Sequence, residues 1–131
     1  MTAAQSTIAE ISGLERADFV ARLGFLFEGS PWIVNETWPG GPWRSVADLH
    51  GALLRTLAAA PEERQIALIQ AHPDLVGRAA LAGTLTREST QEQHAAGLDP
   101  GALTPDEIAA FQTWNARYQE RFGFPFVICA R

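Results

Sequence analysis

Only one stretch of this 131-residue chain, Phe124 to Ala130, has the composition of a β-strand, and one such segment cannot build a sheet alone. The core must therefore come from helices, and the rest of the sequence is punctuated to match. Thr104-Pro105-Asp106-Glu107 is the strongest start signal: threonine at the N-cap, proline at the first helical position and glutamate at the third. The helix it opens carries Ile108, Phe111, Asn115 and Tyr118 on one face and stops before Gly123. Ser12-Gly13-Leu14-Glu15 has the form of a capping box. Phe19, Val20, Leu23, Leu26 and Phe27 follow at helical spacing and predict a first helix from about residue 15 to about residue 28. Ser30-Pro31 starts a short helix through Trp32, Ile33 and Trp38, which Pro39-Gly40-Gly41-Pro42 stops.

Ser45 opens a third helix with Val46, Leu49, Leu53, Leu54 and Leu57 on its apolar side. Pro61 opens a fourth, carrying Ile66, Leu68 and Ile69. It must end near His72, because Pro73 disfavours helical geometry at the residue before it. A short helical piece through Leu75, Ala79, Ala80 and Leu81 ends near Gly83. Thr86 to Ala96 reads as another helix, polar outside and closed by Gly97. The expected fold is an all-α, single-domain bundle of about six to eight helices, with an extended segment near residues 124–130.

Charge and composition narrow the function. Net charge is −5, with no basic stripe of the kind a nucleic-acid footprint needs. No apolar run approaches the ~20 residues that span a bilayer, and the N-terminus has neither a basic nor a long apolar signal region. The single cysteine, Cys129, fits a reducing compartment, so a cytoplasmic protein is expected.

Two motifs carry candidate chemistry. His72-Pro73-Asp74-Leu75 places an imidazole where a helix must end, on backbone that proline fixes. Ser89-Thr90-Gln91-Glu92-Gln93 places a hydroxyl, a carboxylate and an amide three and four residues apart, on one helical face, a set suited to a small ligand rich in N–H and C=O groups. His72 and Glu92 together are a plausible acid–base pair. The plainer alternatives stay open here: His72 as a capping or packing residue, and Ser89 as the N-cap of its helix with Glu92 as box partner. His50, His72 and His94 match no compact zinc pattern, so no metal site is expected, although a metal-dependent hydrolase using all three is a rival reading. Trp32, Trp38 and Trp43 read as core and edge packing, or alternatively as the surface of a non-catalytic helical interaction module.

Taken together these motifs resemble the 2-oxo-4-hydroxy-4-carboxy-5-ureidoimidazoline (OHCU) decarboxylases, which act in the oxidation of urate to allantoin. The resemblance rests on Phe19-Val20 with Leu23, Ser30-Pro31-Trp32, Ala71-His72-Pro73-Asp74-Leu75, Ser89-Thr90-Gln91-Glu92-Gln93, Ala96-Gly97-Leu98, and Asn115 with Tyr118 leading into Arg121-Phe122-Gly123-Phe124-Pro125-Phe126. It implies an all-helical, cofactor-free carbon–carbon lyase that works as a homodimer on a small-molecule substrate. It further implies His72 as catalytic acid/base and Glu92 as its carboxylate partner. Pro73, Ser89, Thr90, Gln91, Gln93 and the segment Phe124, Pro125, Phe126, Val127, Ile128 would line the substrate pocket. Family members usually continue past the segment matching Cys129-Ala130-Arg131 into further helix with basic residues. This chain is expected to lack that helical segment.

Overall fold

A computed structural model of the chain describes residues 5–129. Among them are eight α-helices, three short 3-10 helices and no strand, so the all-α expectation holds. The chain falls into two compact units, Met1–Leu68 and Ile69–Arg131.

The first unit begins with α1 (Ile8–Ser12). Its capping box is made by Thr7 and Glu10: the Thr7 hydroxyl accepts the Glu10 N–H, and the Glu10 carboxylate accepts the Thr7 N–H at 2.7 Å. That backbone donor is the main reason the Glu10 carboxyl titrates below its ordinary value. After α1 come α2 (Arg16–Leu23), α3 (Trp32–Thr37) and α4 (Val46–Ala59), which pack in sequence α2 on α3 and α3 on α4. α5 (Glu62–Gln70) follows. Phe19, Ile33 and Val34 are fully buried, with Leu23, Trp43, Leu49 and Leu53 around them. Phe19 stacks on Trp43 with ring centroids 5.1 Å apart.

Several local expectations change. Ser12 does not cap the second helix, because it already ends the first. Its hydroxyl instead accepts the Trp43 N–H at 3.0 Å and donates to the Trp43 C=O at 3.1 Å. The helix expected to run to about residue 28 stops at Leu23 and tightens into a 3-10 turn over Gly24–Leu26. Ser30 gives no side-chain cap to α3 and donates its hydroxyl to the Glu28 C=O. On α4 the apolar stripe keeps Leu49 and Leu53, which are buried, and Leu57, which is partly buried against the core. Leu54, about 100° round the helix from Leu53, is exposed, and so is Val46 in the first turn. The tryptophans pack rather than form a surface. Trp43 is buried, Trp38 Nε1 donates to the Leu14 C=O at 3.0 Å, and the Arg64 guanidinium lies 3.8 Å over the Trp32 ring. The reading as a Trp-rich interaction surface loses its footing there.

The second unit holds α6 (Arg78–Ala82), α7 (Arg87–Ala95) and α8 (Pro105–Phe122). The box at Thr104 and Glu107 forms as its sequence predicts, and Gly123, at φ 77°, closes α8 in the left-handed conformation that favours glycine. Leu75 is not helical: α6 starts three residues later, after a turn. Thr86, not Ser89, caps α7, accepting the Ser89 N–H at 3.2 Å, which removes the reading of Ser89 as a cap. Residues 125–129 form neither helix nor strand, and Ala130 of the expected extended segment lies outside the described residues.

Replacing Ser12 with Ala leaves both peptide groups of Trp43 without their partner. The expected cost is about 1–3 kcal/mol in urea denaturation with an unchanged m-value. A loss below about 0.5 kcal/mol would show that water replaces the hydroxyl.

Candidate functional site

The second unit is organised around the backbone that follows His72. α5 ends at Gln70, and the His72 N–H still reaches the Ile69 C=O at 3.1 Å. Pro73 then has no N–H to continue the ladder. The chain turns through Asp74 to Gly77, with the Gly77 N–H on the Asp74 C=O at 3.3 Å. Inside this turn Val76 is fully buried and has φ of 50°. A β-branched residue in that region is a true outlier, at a cost of about 1–3 kcal/mol. Gly77 follows because nothing larger fits: a Cβ there would stand 2.7 Å from the Asp74 Cβ.

Side-chain amides hold the turn. Gln93, buried on α7, donates its Nε2 to the Asp74 C=O at 3.3 Å and accepts the Val76 N–H on Oε1 at 3.1 Å. From α8, Asn115 donates to the Leu75 C=O at 2.8 Å, and Gln119 donates to both Asp74 carboxylate oxygens at 2.8 and 2.9 Å. Gln70 donates to the Gly123 C=O at 3.0 Å, tying the end of α5 to the start of the Phe124–Ile128 segment.

His72 is half-buried and lines an open cleft of about 440 Å³ with Pro73, Asp74, Arg78, Gln119 and Pro125. Of the residues expected at the site, His72, Pro73 and Pro125 thus share one cleft. Ser89 and Gln93, one helical turn apart, are the buried face of α7. Glu92, Thr90 and Gln91 are exposed on the same helix, and the Thr90 hydroxyl donates back to the Thr86 C=O at 2.8 Å. None of these three forms part of that cleft's wall. Phe124 is half-buried, while Phe126, Val127 and Ile128 are exposed. Phe126 meets Tyr118 edge-on at 5.4 Å, in a separate apolar groove of about 670 Å³ along α8. The Gln93 amide, expected to face a ligand, is engaged at both ends by the turn.

Arg78 and Gln119 are cleft residues that the sequence motifs did not single out. Arg78 opens α6 six residues after His72, so proximity along the chain was a usable signal. Gln119 reaches the cleft across 45 positions of sequence, which only the packing of α8 reveals. The other histidines lie elsewhere: His94 pairs with Asp99 at 2.8 Å on the surface, and His50 is exposed on α4 in the first unit. Among the described residues no three His, Cys, Asp or Glu side chains group as metal ligands, and no helix is long and apolar enough to cross a membrane.

Gly77→Ala should force the Asp74–Val76 turn apart. The expected result is lost hydrogen-exchange protection at the Val76 amide, with helical circular dichroism retained. Unchanged protection would mean that the turn has room that the 2.7 Å approach denies it.

The sequence pattern of the OHCU decarboxylase family matches residues 12–131. The chain is 36% identical over 125 residues to the 2-oxo-4-hydroxy-4-carboxy-5-ureidoimidazoline decarboxylase of Halalkalicoccus jeotgali, a match covering 95% of this chain and 68% of that protein. It is 37% identical over 124 residues to the mouse (Mus musculus) protein of the same name, covering 95% and 68%. It is also 33% identical over 125 residues to a uric acid degradation bifunctional protein of Bacillus subtilis, covering 95% of this chain and 24% of that protein.

Proposed function

The chain belongs to the OHCU decarboxylase family, and on that footing we propose that the His72 cleft is where it removes CO₂ from its ureidoimidazoline substrate to form (S)-allantoin. The activity is that of a carboxy-lyase of uric acid degradation. The observation that carries the assignment of the site is a half-buried imidazole opening on a cleft, followed by backbone fixed by a proline and by the amide side chains of Gln93 and Asn115.

The substrate bears a carboxylate on a carbon of a small, hydrogen-bond-rich ring. When the C–CO₂ bond breaks, its electron pair passes into the conjugated ring, so the reaction needs no cofactor as electron sink. The carbon that lost CO₂ keeps its oxygen and becomes a carbonyl, and a proton must reach the neighbouring ureido-bearing carbon from one face. We assign its delivery to the His72 imidazolium, which becomes neutral imidazole and is re-protonated from solvent. Glu92 is assigned to grip a substrate hydroxyl or N–H and to partner His72. Support for that pairing comes from its neighbour Gln93, whose bonds to Asp74 and Val76 put this turn of α7 against the turn that follows His72. Arg78, in the cleft wall, supplies positive charge for a bound carboxylate. Pro73 and Pro125 line this cleft, and we assign to further substrate contacts Ser89, Thr90 and Gln91 on α7 and the rest of the Phe124–Ile128 segment, which stand outside its wall. Extended backbone N–H groups near Phe126 serve as donors to ring carbonyls. We place the enzyme in the cytoplasm, which suits a lone cysteine, and as a homodimer, the state the family resemblance implies.

The test is a coupled assay. Urate is oxidised enzymatically to generate the unstable substrate in place, and circular dichroism follows the appearance of one allantoin enantiomer. His72→Ala should lose about 10²–10⁴-fold in rate with the fold intact. Undiminished activity in folded His72→Ala sinks the assignment. Glu92→Gln keeps the shape and removes the charge. It should lose at least about tenfold in kcat, whereas a merely structural glutamate would tolerate the change.

A further inference from the structure

We propose that Gln93 is a positioning residue that acts through His72: its amide holds the Asp74–Val76 turn in a strained shape that sets where the imidazole stands. The inference rests on the role given to His72 above and goes beyond it, because it moves Gln93 from the substrate to the backbone.

Three observations converge. The first is the strain itself. Val76 sits at φ 50° with its side chain fully buried, and a β-branched residue holds that conformation only where its surroundings over-determine it. The second is the way Gln93 meets the turn. One buried amide satisfies the C=O of Asp74 and the N–H of Val76 together, the two backbone groups that flank the strained segment. A side-chain amide is a peptide group in miniature, donor and acceptor in one plane, so it fits this gap as no carboxylate or ammonium could. The third is closure of the frame. Asn115 takes the Leu75 C=O from α8, and Gly77 passes so close to Asp74 that a Cβ on it would stand 2.7 Å from the Asp74 Cβ.

His72 lies two residues before the first of these anchored groups, with only Pro73 between. Proline's fixed φ removes much of the freedom that would decouple the two. Displacing the turn therefore displaces the ring. A shift of about 1 Å in a catalytic group can cost on the order of 10²-fold in rate without changing how tightly substrate binds.

The experiment uses Gln93→Met, which keeps length and burial and deletes both hydrogen bonds. Kinetics run in the coupled assay, and the His72 imidazole signals are assigned in NMR by their disappearance in His72→Ala. The expected result is a fall in kcat of about 10- to 100-fold with KM within about twofold. The His72 signals should also be displaced or broadened. Should Gln93→Met fail to fold, Asn115→Ala loosens the same turn from α8 and is read against the same criteria. A rise in KM with kcat preserved would return Gln93 to the substrate and overturn the proposal. So would a fall in kcat with the His72 signals unmoved. Full activity in folded His72→Ala would instead remove the role of His72, and the positioning role with it, which separates the two failures.

Discussion

A peptide group cannot be buried without a partner, and after Pro73 the chain enters a buried turn where its own ladder has ended. The second unit is arranged around that requirement. The Asp74 C=O, the Leu75 C=O and the Val76 N–H are satisfied by Gln93 and Asn115, from α7 and α8. Gln119 adds a donor to the Asp74 carboxylate. Removing one such partner exposes the cost of a stranded buried group, about 1–3 kcal/mol, which exceeds what the bond itself contributes when made. The turn therefore ties two helices to the residue at the end of a third.

The two units reach their stability by different routes. In the first, apolar side chains do most of it: Phe19, Ile33 and Val34 are sealed, and Phe19 stacks on Trp43. In the second, among the described residues, Val76 is the single buried large aliphatic or aromatic side chain. Full burial of a valine is worth roughly 1.5–3 kcal/mol, comparable with the strain its backbone carries. Burial and strain thus nearly cancel at Val76, and the hydrogen bonds from Gln93 and Asn115 decide the balance. A residue whose gain and cost are matched holds its unusual shape only while its neighbours do.

What could be read from the sequence follows from the range of the interactions concerned. Helix starts are local chemistry, so Thr104 with Glu107, and Ser45 ahead of α4, stand where their motifs put them. Pro73 ended α5 for the same reason. The misreadings arise where a residue had two possible uses. Ser12 has the spacing of a cap but serves the peptide of Trp43, 31 positions away. Ser89 and Thr86 both offered a capping hydroxyl, and Thr86 took the role. At the site, the motifs around His72 and Glu92 were visible as motifs. That the Gln93 amide turns to backbone, that Gln119 reaches Asp74, and that Val76 is left-handed depend on α7 and α8 meeting the turn. No short-range pattern encodes that.

The chemistry assigned to this chain makes such holding meaningful. Once CO₂ departs, the substrate ring is a flat conjugated system, and its ureido-bearing carbon is equally open on both faces to a proton in solution. The hand of the product is then decided by where the acid stands rather than by how strong it is. An imidazole ring free to swing would spend less time within reach of the carbon and would approach it from either face, and so would lose rate and enantiomer together. Gln93, Asn115 and Gln119 are neutral and do not titrate, so gain or loss of a proton at His72 leaves the groups that hold its turn uncharged. With proton delivery assigned to His72 as proposed, placement and proton transfer are separated: neutral amides set the geometry, and the imidazole changes charge.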